Sequence, residues 1–408
     1  MKGLILAAGE GTRMRPLTAN IPKPILPIAG KPTIVHTIEA MKQCGIGDIF
    51  ILAGWRANRL KDVLGDGASF GVKIEYVTQE KRLGTAHALS MLKDHLSGRF
   101  CCVYGDVVVS PAALRKTLKE SISMKESVMC VAPVADPSRY GSVEVANGKV
   151  TGIWEKSTAP HGNLINAGIY VLNPDIYDFI AKTEISPRGE YELTDSLLMM
   201  SRKQDLRAQI IEKGWLDVAR PWDLLLANEI VMQEMVPEVK GTVEPGVTMK
   251  GPVHIGEGTE VMTGSYIVGP VYIGKGCEIG PNCFIRPSTS LGDGCKVGNA
   301  VEVKNSIIMN ESKVPHNSYV GDSVIGERCN LGAGTKVANL RLDNRQVPVV
   351  VDGQKVDSER RKLGVIMGDD VKTGINASID PGTIIGEETL IGPSALASGY
   401  ILPRSKIL

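Results

Sequence analysis

Lys2-Gly3-Leu4-Ile5-Leu6-Ala7-Ala8-Gly9-Glu10-Gly11-Thr12-Arg13-Met14-Arg15-Pro16-Leu17-Thr18, followed by Ile21-Pro22-Lys23-Pro24, opens the chain. The apolar run 4–7 has the length and composition of a buried strand. It delivers a glycine loop with two arginines, then a lysine held between two prolines. A strand that feeds such a loop is the first unit of a doubly wound α/β sheet, whose ligands sit at the carboxyl ends of the strands. Glycine admits backbone N–H groups to phosphate oxygens. Arg13 and Lys23 supply positive charge where a leaving pyrophosphate would gather negative charge. Two common phosphate loops are excluded: a dinucleotide fingerprint requires glycine where Met14 stands, and no Gly-Lys-Ser/Thr is present.

The alternation continues outward from this loop. Apolar runs at 48–53, 73–77, 100–104, 127–134 and 165–172 read as strands, and amphipathic stretches at 33–43, 85–92 and 111–121 as helices. Residues 1–236 are therefore expected to form an α/β domain with a mostly parallel sheet. The 408 residues, 43% of them hydrophobic, suffice for two or three domains. A formal charge of +1 gives no basic field for nucleic acid, so a small ligand is the expected partner. No apolar run reaches membrane-spanning length and the first strand is no signal peptide, which points to a cytosolic protein without a membrane partner.

The opening string, with Pro16, Thr18 and Pro22-Lys23-Pro24 in register, resembles the signature of the sugar-1-phosphate nucleotidylyltransferases. The resemblance implies that Ala8, Gly9, Gly11 and Thr12 bind a nucleoside triphosphate, with Arg13 and Lys23 catalytic. Thr78-Gln79 followed by Arg82-Leu83-Gly84-Thr85-Ala86 looks like the family's base-recognition loop and assigns Gln79, Gly84 and Thr85 to the nucleotide. Tyr104-Gly105-Asp106 and Trp215-Leu216-Asp217 each end in a carboxylate, and Mg²⁺ prefers one or two carboxylates plus phosphate oxygens. The family match makes Asp106 and Asp217 the metal ligands. Gly141, Glu155, Lys156 and Asn166 match the sugar-phosphate side. The implied reaction is in-line attack of a sugar-1-phosphate oxygen on the α-phosphorus, with no covalent intermediate.

The period changes near Pro237. Residues 237–250 read as a linker, and from there aliphatic residues recur at every sixth position: Ile255, Val261, Ile267, Ile273, Ile279, Ile285, Leu291, Val297, Val303 and Met309. This is the hexapeptide pattern of a left-handed parallel β-helix over 251–408, three hexads per coil, roughly seven coils and about 35 Å of triangular prism. Cys277, Cys283, Cys295 and Cys329 fall in a small-residue slot of the hexad. Cys101 and Cys102, as strand neighbours, face opposite ways. No Cys-x-x-Cys occurs, so reduced structural thiols are expected. Residues 341–364 interrupt the period with Val347-Pro348-Val349-Val350-Val351-Asp352-Gly353-Gln354, a hairpin in a basic setting. It reads as solvated or, alternatively, as reaching a neighbouring subunit or a cofactor's phosphates.

Val314-Pro315-His316-Asn317-Ser318-Tyr319-Val320-Gly321-Asp322, then Leu331-Gly332-Ala333 and Asn339, with Arg286 and Val303-Lys304 upstream, resemble the acetyltransferase domain of the GlmU family. That family acetylates glucosamine-1-phosphate and joins the product to UTP. The resemblance implies that His316 is the general base toward the sugar amine and that Arg286 and Lys304 hold the sugar phosphate. It gives Tyr319 and Asn339 the sugar and its amine, and the Ala333 backbone the acetyl-CoA. Pro16-Leu17-Thr18 and Trp215-Leu216-Asp217 look more like the thymidylyl- and archaeal-type branch, leaving UTP or dTTP as the nucleotide. Leu340 stands where the family has an aromatic residue. Such β-helices generally associate as trimers, which implies a homotrimer. The rivals are a transferase with a merely assembling β-helix, against which His316 with Asn339 argues, and a non-catalytic regulatory subunit, against which Arg13, Lys23, Asp106 and Asp217 argue.

Overall fold

The computed structural model describes residues 1–81, 83–155, 161–203, 206–351 and 353–408, without the side chains of 122–124 and 139. Arg82, Lys156 and Asp352 lie outside the described residues. Two compact units are present: Met1–Glu10, Pro22–Ile25 and Pro32–Asp217 in the first, Gly11–Ile21, Leu26–Lys31 and Val218–Leu408 in the second.

The first unit is built on β1 (Lys2–Ala7), α1 (Thr33–Gln43), β2 (Asp48–Ala53), α2 (Ala57–Leu64), β3 (Lys73–Thr78), α3 (Thr85–Ser90), β4 (Phe100–Tyr104), β5 (Val107–Val109), α4 (Pro111–Met124) and β6 (Ser127–Pro133). It continues with β7 (Ser142–Ala146), β8 (Lys149–Trp154), β9 (Leu164–Leu172), α5 (Ile176–Ile180), α6 (Leu193–Lys203), β10 (Leu206–Ile210) and β11 (Trp215–Asp217). Nine strands form one sheet in the order β3-β2-β1-β4-β9-β6-β10-β8-β7. The four around β1 are parallel. Beyond them the sheet is mixed rather than mostly parallel, since β9 runs antiparallel to both β4 and β6. β9 follows the β7–β8 hairpin instead of a helical crossover, and only a crossover returns a strand in the parallel sense.

Side chains alternate across this sheet. Ile5, Ile51, Cys101 and Val103 pack on one face with Ile34 and Ile38 of α1. Leu4, Leu52, Phe100 and Cys102 pack on the other with Leu89 and Leu197. Ser110 starts α4 by accepting a hydrogen bond from the Ala113 amide at 3.2 Å, ahead of Pro111 in the first turn.

The second unit is a left-handed parallel β-helix joined to α7 (Asp223–Met232) and the two short N-terminal segments. Three parallel sheets of nine, nine and eight strands form its faces. The first face begins at Glu238–Val239, the second at Thr242–Val243 and the third at Thr248–Lys250. The stretch 237–250, expected to link, is thus a first coil paired in parallel with the next. As a terminal coil it buries little, so its sequence lacks the aliphatic period that reveals the others.

Inward residues such as Ile255, Ile273, Ile279, Ile285 and Val303 are fully buried in one continuous core. Each contributes about 1.5–3 kcal/mol against exposure. Ile285→Ala is expected to lower the unfolding free energy by about 2–5 kcal/mol, measurable by denaturant titration.

Beyond the opening coil, length varies at one edge alone. From Ile255 onward, successive inward residues from first to second face, and from second to third, are six apart, as in Leu291, Val297, Val303 and in Ile308, Val314, Val320; in the opening coil the first of these steps is four, Val239 to Val243. From third to first face the step is six at Ile285 to Leu291, five at Val303 to Ile308 and at Val320 to Ile325, thirty at Val337 to Met367 and four at Ala397 to Ile401. Ile308, not Met309, therefore pairs with Leu291. Met309 is also apolar and buried, so hydropathy alone hides the lost residue.

The insertion 341–364 leaves from this same edge, its neck closed by a Leu340–Lys362 bridge. Its antiparallel hairpin pairs Pro348–Val351 with Gln354–Asp357. It is not simply solvated: Val347 and Val349 are fully buried, with Val347 against Gly382 of the prism. All eight cysteines are free thiols. Among the described residues no helix is long and apolar enough to cross a membrane.

Candidate active sites

The first constellation lies at the carboxyl ends of the central strands of the α/β unit. β1 ends at Ala7 and passes to Ala8 and Gly9; β4 ends at Tyr104, just before Asp106. Lys23, only 8% exposed, donates to Asp106 Oδ2 at 2.6 Å. β11 pairs antiparallel with β5 so that Asp217 is the partner of Val107, the residue next to Asp106. The two aspartates, 111 positions apart in sequence, are thus neighbours across one short ribbon. A Cβ built on Gly9 meets no protein atom within 4 Å, so the chain's own packing does not require glycine there. Gly11 belongs to the second unit; its φ of 68° starts the turn Thr12–Met14, on which Thr12 and Arg13 are exposed and Met14 is buried.

Gln79 is 5% exposed at the end of β3. Its Nε2 lies 3.3 Å from the Gly84 carbonyl oxygen and 2.9 Å from His87 Nδ1. Both amide hydrogens are thereby directed into the protein, which leaves Oε1 as an acceptor. Gly84 has φ 103°, and a Cβ there would stand 2.5 Å from the Tyr191 carbonyl oxygen, so only glycine fits. Thr85 accepts from the Leu193 amide at 2.9 Å, tying α3 to the start of α6.

On the sugar side, Asn166 sits beside an irregularity in the β9–β6 pairing. Its Oδ1 accepts from the Gly168 amide at 3.0 Å and from the Tyr170 hydroxyl at 2.8 Å, leaving Nδ2 as the donor. Burial holds the Tyr170 and Tyr104 hydroxyls well above the usual tyrosine range, so both stay protonated. Glu155 lies beside Gly141, whose ideal Cβ would be 3.1 Å from Oε1. Arg188 spans Glu155 at 3.7 Å and Glu192 at 3.0 Å. Burial raises the Glu192 carboxyl, against the pull of Arg188. Arg188 and Glu192 carry no motif readable at the level of single residues; only folding brings them to Glu155.

The second constellation lies on the β-helix. His316 is exposed at the end of the strand Lys313–His316, at the edge between second and third faces. Its carbonyl accepts from the Ser318 hydroxyl at 2.7 Å, and Asn317 turns the corner with φ 44°. Tyr319 stands on the third face, stacked in register on Glu302, which is in turn stacked on Phe284. Burial raises the Tyr319 phenol. Gly321 forms the floor: a Cβ there would meet Tyr319 Oη at 2.5 Å and Asn339 Nδ2 at 2.6 Å.

Asp322, 3% exposed, occupies the edge between third and first faces. Its carboxylate accepts from Lys304 Nζ at 3.1 Å, Asn305 Nδ2 at 2.8 Å and Asn339 Nδ2 at 2.5 Å. Asn339 also donates to Tyr319 Oη at 3.1 Å. Arg286 pairs with Glu302 at 2.8 Å. The Ala333 carbonyl is engaged by the Asn376 amide at 2.8 Å. The insertion is fastened to this region, because Arg360 and Asn305 both donate to Glu229 of α7, at 2.7 and 2.9 Å.

A glycine loop after the first strand and a Lys–Asp pair with a second aspartate beside it, on a sheet of this order, mark the class of nucleotidyl transferases. The family described as Nucleotidyl transferase matches residues 2–234, and the GMPPB C-terminal domain matches 267–374. The chain is 41% identical over 397 residues, 97% of its own length and 94% of the relative's, to the bifunctional protein GlmU of Methanocaldococcus jannaschii. It is 42% identical over 406 residues, 98% and 97% of the two chains, to the bifunctional sugar-1-phosphate nucleotidylyltransferase/acetyltransferase of Sulfurisphaera tokodaii. A solved structure described as a glucose-1-phosphate thymidylyltransferase of Bacillus anthracis superposes with a TM-score of 0.54 at 31% identity, over 58% of this chain and 98% of that one. The chain belongs to the archaeal bifunctional GlmU family of sugar-1-phosphate nucleotidylyltransferase/acetyltransferases.

Proposed function

We propose that the chain makes UDP-N-acetylglucosamine in two steps, residues 1–236 transferring the nucleotidyl group and the β-helix transferring acetyl. The observation that supports this over a transferase alone is the second constellation: Tyr319, Asn339, Lys304 and Arg286 on or at the ends of third-face strands, with His316 at the edge where that face begins, on a prism that needs none of them for its core. In the first step the amine of glucosamine-1-phosphate attacks the thioester carbonyl of acetyl-CoA, His316 accepts the proton, and the thiolate leaves. Arg286 and Lys304 hold the sugar phosphate, and the Ala333 backbone lines the thioester groove.

In the second step an oxygen of N-acetylglucosamine-1-phosphate attacks the α-phosphorus of UTP and pyrophosphate leaves. Glu155 and the Asn166 amide orient the sugar with Gly141; Lys156 pairs with its phosphate. Ala8, Gly9, Gly11 and Thr12 present backbone N–H groups to the triphosphate, and Arg13 and Lys23 neutralise its charge. Asp106 and Asp217 would hold Mg²⁺; two adjacent carboxylates suit a hard cation that keeps its other positions for phosphate and water. When bound, it would neutralise charge on the phosphates. We further propose a cytoplasmic homotrimer, with acetyl transfer between neighbouring prisms.

Gln79 Oε1 accepts from the N3–H of uracil or thymine and is mismatched to cytosine, whose N3 is itself an acceptor. UTP and dTTP are expected to be used at least ~10-fold better than CTP by kcat/KM, a preference that Gln79→Ala reduces. The reading as a whole is tested by supplying glucosamine-1-phosphate, acetyl-CoA, UTP and Mg²⁺ and following free thiol and pyrophosphate separately. Release of both is expected. Pyrophosphate without thiol, when the acetylated sugar is supplied, would reduce the chain to a transferase.

A further inference from the structure

We infer that Asp322 is the positioning residue of the acetyl-transfer site, setting the orientation of the Asn339 amide and the place of the Lys304 ammonium. The inference rests on the acetyl-transfer reading above and adds a residue for which that reading names no role. Asp322 is a buried carboxylate with three side-chain donors on it, from Lys304 and Asn305 one coil back and Asn339 one coil on. Such a group is not needed for the prism, whose core is aliphatic at every face. It stands at the edge where coil length is free, in the left-handed conformation with φ 49°, an arrangement aspartate tolerates at a cost.

The consequence for chemistry lies in Asn339. With one Nδ2 hydrogen given to Asp322 and the other to Tyr319 Oη, the amide is locked with Oδ1 as its remaining acceptor. An acceptor at this position takes one N–H of the substrate's amine, so the nitrogen lone pair is left to attack the thioester. The opposite amide orientation would offer N–H to that lone pair and block attack. Asp322 also holds Lys304 at 3.1 Å, fixing the cation that meets the sugar phosphate. Glu229 and Arg360 extend the same network to α7 and the insertion through Asn305.

The test uses the full-length protein. Asp322→Asn is isosteric, removes the charge and can present its own NH₂ to Asn339. Thiol release from acetyl-CoA and glucosamine-1-phosphate should fall by about 10–100-fold in kcat, the usual effect of losing a group that orients a first-contact residue, with the KM for acetyl-CoA little changed. Pyrophosphate release by the same preparation should stay within about twofold, which confines the loss to the acetyl-transfer half, and an unchanged circular dichroism spectrum reports an intact prism. The double variant D322N with N339A should be no slower than N339A alone, because the two residues act as one unit; a merely structural role predicts additive losses. Full acetyl transfer by D322N, or additivity in the cycle, overturns the inference and leaves the bifunctional reading standing. If the wild type itself releases no thiol, that reading fails and the inference with it. Should D322N not fold, Asn305→Ala examines the same carboxylate from Oδ1: a several-fold loss is expected, and none would count against the proposal.

Discussion

Lys23→Ala is expected to lower pyrophosphate release by about 10²–10³-fold while thiol release is unaffected. The lysine is held between Pro22 and Pro24, almost fully buried, with its ammonium 2.6 Å from Asp106. A cation preorganised in this way costs no reorganisation when charge develops on the leaving pyrophosphate, which is why one such group is worth so much. Its ammonium also competes with a divalent ion for Asp106, so its loss should lower the Mg²⁺ concentration that gives half-maximal rate even as turnover falls. Steady-state kinetics with a coupled pyrophosphate assay over a Mg²⁺ series checks both. A variant that turns over normally would remove Lys23 from the chemistry and leave it a structural partner of Asp106.

His316→Ala is expected to act on the other half, lowering thiol release by about 10²–10⁴-fold with pyrophosphate release from preformed N-acetylglucosamine-1-phosphate unchanged. The imidazole is exposed at a corner of the prism and its strand is held through the backbone carbonyl, by Ser318 and Gly334. Removing the side chain therefore leaves the coil's hydrogen bonds in place, and stability should change by less than about 0.5 kcal/mol. The two substitutions together make a reciprocal pair, each silent in the other's assay. Loss of both activities from either one would contradict two independent centres.

The parts of the fold that the sequence disclosed were those with a local period. The strands at 48–53 and 100–104 and the helix at 33–43 occur with those bounds, because each is an apolar run or an amphipathic stretch whose signal lies within its own residues. The mixed sense of the sheet was not legible, since it depends on β9 arriving from a hairpin and inserting between β4 and β6. Hexads disclosed the β-helix but not its first coil, where exposure removes the need for aliphatic residues, nor the step from Val303 to Ile308, masked by the apolar Met309.

Among site residues, His316 and Asn339 stand out as motif positions, whereas Asp322 reads as an ordinary turn aspartate. Its partners lie 17 or 18 positions away, a distance that means nothing until coils stack. Glu229 and Arg360, 131 positions apart, are further still from local recognition.

Confinement of length changes beyond the opening coil to a single edge has an evolutionary corollary. From Ile255 on, two edges are metronomic and keep the aliphatic rungs aligned; the third absorbs deletions of one or two residues and a whole hairpin without shifting a rung. Lys304, Asp322 and Asn339 lie along that permissive seam. Loops at this seam can therefore be lengthened or pruned, and the amino sugars tolerated by the proposed acetyl-transfer site retuned, with the scaffold beneath left unaltered.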